Sequence, residues 1–249
     1  MSEVIWHDIE CGSYRQDLAL WLALADQYAG AGAPVLDVGA GTGRVSLALA
    51  RAGHGVVALD QSRTLLAELA RRARGLPIET VCADARTFTL PGRHFPLIAV
   101  PMQTLQLLGG NEGQRAFLAR ARRHLQAGGA IAVAIVALED LEEFEEFEEF
   151  DGEQAGGLPL PDIAELDGCA YFSQPTAVRR QDGSVVLERL REVVDAHGAR
   201  RSSVDRTRLD LTSPEQLAEL AANAGLRLRE VRRIDPTDAH VGSEVVILQ

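Results

Sequence analysis

The chain has 249 residues, 46% hydrophobic and 24% charged, which suits one large α/β domain of ordinary globular composition. Its net charge of −11 argues against nucleic acid as a partner, because that binding depends on neutralising phosphates. No apolar run approaches the roughly 18 to 20 residues needed to span a bilayer, and the first eight residues do not resemble a secretory signal. We therefore expect a cytoplasmic protein with no membrane or nucleic-acid partner.

The basic residues exclude several further chemistries, since all 25 of them are arginine. Without lysine the chain cannot form a Schiff base on a side chain, use a Walker-type lysine or employ a lysine general base. The cysteines Cys11, Cys82 and Cys169 are scattered and odd in number, as expected of reduced thiols. No His-x-x-His or Cys–His cluster indicates a metal, so we predict no metal site.

The first half of the chain alternates between predicted helices and strands. In chain order these are a helix at 13–29, a strand at 35–38, a helix at 42–51, a strand at 55–60, a helix at 65–72, strands at 78–82 and 95–100, a helix at 111–125 and a strand at 130–136. The last strand is continuously apolar, as in the buried centre of a parallel sheet. This rhythm predicts a doubly wound, mostly parallel α/β sheet.

The alternation breaks after residue 136. Residues 141–150 repeat Glu-Glu-Phe three times, which we interpret as a solvated helix or the edge of a lid. Residues 152–162 read as a loop. Extended runs follow at 170–180, 185–196 and 200–211. We therefore predict a lid-like antiparallel insertion of three strands at 137–212, within a single domain that spans 1–249.

The chain then returns to the predicted sheet. Ser213 and Pro214 have the residue types favoured at the start of a helix, which we predict to run to residue 224. Two strands follow at 226–234 and 241–248, and they complete the sheet as a terminal hairpin.

The most informative motif joins the first predicted strand to the helix after it. It reads Asp37-Val38-Gly39-Ala40-Gly41-Thr42-Gly43, an acid followed by a glycine-rich turn. Such a turn at the carboxyl edge of a parallel sheet binds nucleotide-like ligands, because glycine lets the main chain approach the ligand closely. A dinucleotide fingerprint would place its third glycine where this chain has Arg44.

Three acids stand in register with this turn. Asp60 ends the second strand, where a carboxylate can accept both hydroxyls of a ribose. Asp84 follows the third strand, where it can accept from the exocyclic amine of an adenine. Asp37 can orient the turn or face an ammonium group. One acid at a strand end is ordinarily a cap or turn residue, but three together with the glycines indicate a nucleoside site.

These motifs, with the strand exit at Val100-Pro101-Met102-Gln103 and the run Leu125-Gln126-Ala127-Gly128-Gly129, resemble those of class I S-adenosylmethionine-dependent methyltransferases over residues 33–136. The resemblance implies a Rossmann-like, doubly wound sheet of seven mostly parallel strands with an antiparallel C-terminal hairpin. The insertion resembles that of the small-molecule branch, such as glycine and amino-sugar N-methyltransferases. The family resemblance implies S-adenosyl-L-methionine as cofactor and in-line methyl transfer to a nitrogen or oxygen of a small molecule.

The resemblance also implies site residues. Those expected to bind the cofactor are Tyr14, Asp37, Gly39, Ala40, Gly41, Asp60, Gln61, Ala83, Asp84, Val100, Pro101 and Met102. In the family the position of Gln61 packs against the adenine, and an N-terminal tyrosine, here Tyr14, closes over the methionine part. Gln103 and Arg206 are expected on the acceptor side. The arginines around Arg206 form either solvated strand faces or a clamp for an anionic acceptor.

The catalytic residues stay open at this stage, because a base is needed only if the nucleophile arrives protonated. His7, His197 and His240 are the candidates for such a base. Two other functions are compatible with the sequence. One is a nicotinamide-dependent oxidoreductase, which Arg44 and the terminal hairpin disfavour, and the other is a non-catalytic protein that binds S-adenosylmethionine. The free strand edges of the insertion also predict a homodimer contact.

Overall fold

The computed structural model describes residues 2–30, 32–137, 160–237 and 240–249. Within them the helices are α1 (Ser2–Cys11), α2 (Leu18–Tyr28), α3 (Arg44–Arg51), α4 (Arg63–Arg72), α5 (Gly110–His124) and α6 (Pro214–Ala222), with a 3-10 helix at Thr104–Leu107. The strands are β1 (Val35–Val38), β2 (Val56–Asp60), β3 (Ile78–Cys82), β4 (Phe95–Val100), β5 (Leu125–Val136), β6 (Asp162–Leu166), β7 (Cys169–Gln181), β8 (Ser184–Val194), β9 (Arg200–Asp210), β10 (Leu228–Ile234) and β11 (Ser243–Leu248). None of these helices has the length and apolar character needed to cross a membrane.

Seven strands form the main sheet, in the order β10-β11-β5-β4-β1-β2-β3. Neighbours among β1 to β5 are parallel, whereas β11 runs antiparallel to both β5 and β10. The predicted Rossmann-like sheet with its antiparallel terminal hairpin is confirmed. The strand order reverses beside β1, which has β2 on one side and β4 on the other, and this is where a doubly wound sheet opens a crevice for a ligand.

The sheet is covered on both faces by buried apolar side chains. On one face the core includes Trp21 and Leu24 of α2, and on the other Phe117 and Leu118 of α5. The strands β1 and β4 are buried along their whole length, although β1 contains Asp37 and only β4 is continuously apolar. Helix α6 begins as predicted, because the Ser213 hydroxyl accepts from the Gln216 N–H at 3.3 Å in a reciprocal capping box.

The insertion forms a separate antiparallel sheet of four strands, β6-β7-β8-β9, where the sequence analysis predicted three. The additional strand β6 was missed because its five residues directly follow a stretch rich in glycine and proline. A signal was nevertheless present in Asp167-Gly168, which joins β6 to β7 with positive φ angles of 51° and 75°. Those angles are typical of a type I′ hairpin turn. The Glu-Glu-Phe repeat at 141–150 lies outside the described residues.

The N-terminal segment also differs from the prediction. One helix was expected at 13–29, but the structure has α1 at Ser2–Cys11 and a later start of α2 at Leu18. Only Ile5 and Ile9 of α1 are fully buried, so its apolar face is narrow and gives little periodic signal. Contacts with distant parts of the chain stabilise this helix, and they bring it to the carboxyl edge of the main sheet.

Candidate functional site

The glycine turn lies at the carboxyl end of β1 and is held by the neighbouring strand. The N–H groups of Gly39 and Ala40 donate to the Leu59 carbonyl at 2.8 and 3.1 Å. Gly39 and Gly41 have φ angles of 75° and 54°, in the left-handed region that favours glycine. The turn therefore presents bare backbone at the crevice.

Side chains from two distant elements stand against Gly39 and Gly41 of this turn. A Cβ added at Gly39 would lie 2.5 Å from the methyl carbon of Thr104, and one at Gly41 would lie 2.2 Å from His7 Nε2. At both positions a Cβ would force the facing side chain to move, so the available space favours glycine in addition to φ. Thr104 follows β4 and His7 belongs to α1, so these two elements form the side walls of the turn.

Asp60 lies beside the turn, at the end of β2 where the sequence analysis expected it. Its Oδ2 accepts from the Gly41 N–H and its Oδ1 from the Ser62 N–H, both at 2.8 Å. The carboxylate is half-buried. Because a carboxylate has about four acceptor positions, two are left for the hydroxyls of a sugar.

Asp37 lies beneath the turn and is only 1% exposed. Its Oδ2 accepts from the Ser46 hydroxyl at 2.6 Å, so the acid anchors α3, and Ser46 is a partner that the sequence analysis missed. Its Oδ1 is buried and has no hydrogen-bond partner within the described residues. Burial raises the pKa of this carboxyl to about 6. A buried, unsatisfied acceptor oxygen at a ligand crevice fits a bound donor such as an ammonium group.

The exit of β4 supplies the opposite wall. Val100 and Pro101 are buried, and the Pro101 carbonyl accepts from the Thr104 hydroxyl at 3.0 Å. Met102 has φ of 53°, a left-handed conformation that is uncommon for a residue with a side chain. Such strain is often found at ligand sites. The predicted residues Val100 to Gln103 thus pass beside the glycine turn, directly before Thr104.

The side expected to receive the adenine is more open. Gln61 is exposed, and the Ala83 N–H donates to the Asp60 carbonyl at 2.9 Å, which fixes the end of β3 beside β2. Asp84 follows directly and is paired with Arg86, whose Nη2 donates to it at 2.6 Å. These hydrogen bonds lower the pKa of Asp84. Arg86, which the sequence analysis did not single out, therefore holds the carboxylate that was expected to accept from an adenine amine.

Tyr14 is buried near the start of α3. The guanidinium of Arg44 lies 5.2 Å from the centre of its ring, and the His240 ring packs edge-on at 5.0 Å. Burial raises the pKa of the Tyr14 hydroxyl. Arg44 also donates to the Tyr14 carbonyl at 3.1 Å and to Asp17 Oδ2 at 2.7 Å. The residue that breaks the dinucleotide pattern thus holds the N-terminal segment in place.

Helix α1 connects the glycine turn with the insertion. Towards the turn, Asp8 accepts from the Thr42 hydroxyl at 2.7 Å and from Arg72 Nη1 at 3.0 Å. Towards the insertion, Glu10 accepts from Arg191 Nη2 at 2.6 Å and from the Ser173 hydroxyl at 2.7 Å. Although burial raises the pKa of Glu10, these hydrogen bonds hold it below its ordinary value. Because no signal in the sequence pointed to α1, this connection was missed.

The other candidates on the insertion lie away from the turn. Arg206 pairs with Glu188 at 2.8 Å, and residues alternate between faces along a strand, so both lie on the face opposite Arg189 and Arg191. The structure therefore does not bring Arg206 to the glycine turn. His197 is exposed in the turn between β8 and β9. Among the described residues no group of three or more His, Cys, Asp or Glu side chains is arranged to hold a metal.

Comparison with known sequences gives a match over the centre of the chain. Residues 35–129 match the family described as a methyltransferase domain. A curated relative, the cypemycin N-terminal methyltransferase of a Streptomyces species, is 39% identical over 99 residues. That match covers 40% of this chain and 40% of the relative, so it spans less than half of either protein.

Several solved structures share the architecture of nearly the whole chain. A methyltransferase from Clostridium acetobutylicum that depends on S-adenosylmethionine has a TM-score of 0.72 at 14% identity, covering 98% of this chain and 96% of its own. A sugar N-methyltransferase from a Streptoalloteichus species has a TM-score of 0.70 at 19% identity, covering 99% and 92%. An amino pentose methyltransferase from Micromonospora echinaspora, solved with S-adenosylmethionine bound, has 0.69 at 21% identity, covering 98% and 96%. At these identities the likeness establishes a common fold.

Proposed function

We propose that this chain, whose residues 35–129 match a methyltransferase domain, transfers a methyl group from S-adenosyl-L-methionine to a nitrogen of a small molecule. The observation that carries this proposal is the glycine turn itself. Bare backbone, the acid Asp60 and the unsatisfied oxygen of Asp37 meet at one edge of the sheet. This edge combines a surface for close backbone contact, an acceptor for hydroxyls and an acceptor for a cation.

The residues present fit the parts of this cofactor. Asp60 accepts a hydrogen bond from the ribose, while Gln61 and the segment at Ala83 and Asp84 line the adenine. The exit of β4 at 100–103 and the ring of Tyr14 enclose the methionine part. The oxygen of Asp37 that lacks a partner favours the positive ammonium of that part, because burying a carboxylate is costly unless a donor or cation satisfies it.

The reaction needs little from the protein beyond orientation. The cofactor supplies a methyl group on a positively charged sulfur, which is already activated for displacement. The protein holds the acceptor in line with the methyl group, and such positioning can contribute roughly 7 to 11 kcal/mol. An amine acceptor would react in its neutral form, with the lone pair of its nitrogen forming the bond to the methyl carbon. The electrons of the broken carbon–sulfur bond would stay on the sulfur. The proton that the amine carries is then lost to a base or to water.

Two features favour nitrogen as the acceptor atom. By their names, the curated relative is an N-terminal methyltransferase and one structural neighbour is a sugar N-methyltransferase. In addition, the two arginines of the insertion nearest Glu10 of α1 are already paired, Arg189 with Asp162 and Arg191 with Glu10 and Asp205. These two side chains are therefore not available to clamp an anionic acceptor, which favours a basic amine.

The setting of the reaction follows from the cysteines. The described chain has three free cysteines, Cys11, Cys82 and Cys169, and disulfides are rare in the reducing cytoplasm. We therefore propose that the protein works in the cytoplasm on a soluble acceptor.

The cofactor is tested by calorimetry with S-adenosylmethionine, S-adenosylhomocysteine and NAD. We expect binding of the first two and none of NAD. Binding of NAD alone would replace the proposal with an oxidoreductase. Arg44 stands against that outcome, because its side chain is committed to Asp17 and Tyr14.

Turnover is tested by acceptor-dependent production of S-adenosylhomocysteine across a metabolite library that includes amino sugars, amino acids and short peptides. We expect amines to support turnover. The matched controls are the same compounds with a hydroxyl in place of the amine or with the amine acetylated, and these should not support it. Turnover on hydroxyl acceptors alone would move the reaction to oxygen. Cofactor binding without turnover on any acceptor would favour a non-catalytic binding protein.

A further inference from the structure

His7 of α1 occupies a position that the proposed reaction does not yet explain. The Nε2 edge of its ring stands against Gly41, so close that a Cβ on that glycine would lie 2.2 Å from Nε2 and 2.5 Å from Cε1. The ring is half-buried and sits beside the backbone at which the cofactor is proposed to bind. An imidazole placed against a glycine turn is well situated to contact a ligand on that turn.

The hydrogen bonds around His7 determine which ring nitrogen carries the proton. The Thr42 hydroxyl donates its proton to Asp8 Oδ1 at 2.7 Å, and Arg72 holds Asp8 from the other side. The Thr42 oxygen lies 3.3 Å from His7 Nδ1. Since the hydroxyl proton is already committed, Thr42 accepts from Nδ1–H, and Nε2 is left as the unprotonated nitrogen with its lone pair.

The charge state of the ring agrees with this assignment. Burial lowers the pKa of His7, although the carboxylates of Asp8, Asp60 and Glu10 oppose that shift. The imidazole is therefore neutral near pH 7, and its Nε2 is an acceptor of hydrogen bonds.

The location of Nε2 relative to Asp60 indicates what it would accept. Asp60 Oδ2 accepts from the Gly41 N–H at 2.8 Å, and His7 stands against the Cα of the same residue. The two acceptors thus flank one residue of the turn. If Asp60 receives the sugar of the cofactor, Nε2 lies close to that sugar, and the polar donors of a ribose are its two hydroxyls.

We propose that His7 is a cofactor-binding residue, with Nε2 accepting a hydrogen bond from one ribose hydroxyl while Asp60 accepts from the other. This inference rests on the proposed function, since it needs a ribose on the glycine turn. Thr42 and Asp8 are positioning residues in this arrangement, because they hold the ring in the tautomer that can accept. Helix α1 thereby supplies a contact to the cofactor and also packs against the insertion.

The test is calorimetry with S-adenosylhomocysteine and its 2′-deoxy and 3′-deoxy analogues. His7→Phe keeps a ring against Gly41 but removes the acceptor, and we expect affinity for the parent ligand to fall about tenfold. His7→Gln retains an acceptor at a similar reach and should stay within about threefold of the wild type. In the wild type both deoxy analogues should bind more weakly, whereas in His7→Phe one of the two losses should disappear.

The pH profile supplies a second readout that a merely structural role would not move. Protonation turns Nε2 from an acceptor into a donor, so wild-type affinity should fall at a pH below the ordinary range of histidine, because burial lowers the pKa of His7. Protonation of Asp37, whose pKa is about 6, weakens binding in both proteins, so the profile of His7→Gln should keep that fall and lack only the part due to His7. This variant also keeps the test valid if His7→Phe does not fold. The other groups that face the ring, Asp8, Asp60, Glu10 and Arg72, are the same in both proteins.

The outcomes separate the two proposals. If the wild type does not bind S-adenosylhomocysteine at all, the proposed function fails and the assignment of His7 fails with it. If the wild type binds but His7→Phe loses nothing, or still loses affinity with both deoxy analogues, only the assignment of His7 is overturned.

Discussion

At the scale of single residues, the strongest expectation concerns Asp60. Asp60→Ala should cost roughly 2 to 4 kcal/mol of affinity for S-adenosylhomocysteine, because charge-assisted hydrogen bonds to the sugar are lost. Asp60→Asn is the matched control, since it retains an acceptor oxygen and should lose less. Calorimetry measures both, and circular dichroism checks the fold. Unchanged affinity in a folded alanine variant would remove Asp60 from the site.

Asp84→Ala should cost less than Asp60→Ala, since Arg86 already binds its carboxylate.

Asp37 allows a prediction about stability and pH. The folded-state pKa of about 6 lies above the unfolded value of 3.8, so the neutral acid is favoured in the fold. The contribution of the neutral Asp37 to the free energy of unfolding is fully present below about pH 4 and is lost as the pH rises through 6. Asp37→Asn does not titrate, so it should gain about 2 kcal/mol of unfolding free energy relative to the ligand-free wild type between about pH 4.5 and 7.5.

Urea unfolding of both proteins across this pH range measures the difference. A difference that stays constant with pH would show that Asp37 titrates normally in the fold. The same variant should bind S-adenosylmethionine more weakly at neutral pH, because it replaces the carboxylate proposed to face the ammonium group.

Which site residues could be predicted depended on how local their signals are. The glycines, Asp37, Asp60 and the exit of β4 follow strands within a few positions, so apolar runs and turn residues place them at one sheet edge. His7 reaches the same edge only through packing with residues more than thirty positions away, such as Thr42. No spacing in the sequence reports that approach, and a lone histidine in a short helix carries no motif.

At the scale of elements, α1 should depend on its contact with the insertion. Glu10 is half-buried and accepts from Arg191 and Ser173, so Glu10→Gln should destabilise the docked helix by about 2 kcal/mol. Hydrogen exchange should then become faster across α1 and stay unchanged in β1. Glu219→Gln, at an exposed position on α6, is the matched control and should change neither. If hydrogen exchange in α1 of Glu10→Gln stays as slow as in the wild type, the other contacts of α1 are sufficient to hold the helix in place.

The helices and strands that were predicted well have local sequence signals, whereas those that were missed depend on contacts with distant residues. Strands β1 to β5 are apolar runs bounded by turn residues, and their buried positions match that pattern. By contrast α1 buries few apolar side chains, and β6 is short and largely exposed. Both gain their stability from partners elsewhere in the chain, namely α4 and the strand β7, which a local reading cannot supply.

At the scale of the whole molecule, the insertion should also mediate self-association. Among the described strands, β6 and β9 form the two edges of its sheet, and they expose Ile163 (59%) and Val204 (51%) on the face opposite α1. Exposed edges with apolar side chains favour pairing with a second copy. We expect a dimer by sedimentation velocity, and a monomer when both residues are changed to arginine. Leu228→Arg, at an exposed position on β10, is the control and should remain dimeric. A monomeric wild type would contradict this expectation.

The last expectation concerns what the insertion does for the reaction. A variant that replaces residues 162–208 by a short Gly-Ser linker removes the four-stranded sheet but keeps Asp210, whose carboxylate accepts from the Gly110 N–H. The glycine turn and Asp60 belong to the main sheet, so this variant should still bind S-adenosylmethionine, within about tenfold of the full chain. A loss of affinity of up to tenfold, or about 1.4 kcal/mol, is expected because the variant lacks the partners in the insertion that hold α1 in place.

Turnover on the true acceptor should be lost in the same variant, because the insertion follows β5 and stands above the carboxyl edge to which the methyl group would point. Calorimetry and the S-adenosylhomocysteine assay on one preparation separate the two effects. Loss of cofactor binding in a folded variant would make the insertion part of the cofactor site. If turnover persists, the acceptor is held elsewhere, and the remaining walls of the crevice are α1 and the segment at 101–106. In that case His7 and Thr104 become the side chains to vary next, since they stand against Gly41 and Gly39 of the glycine turn.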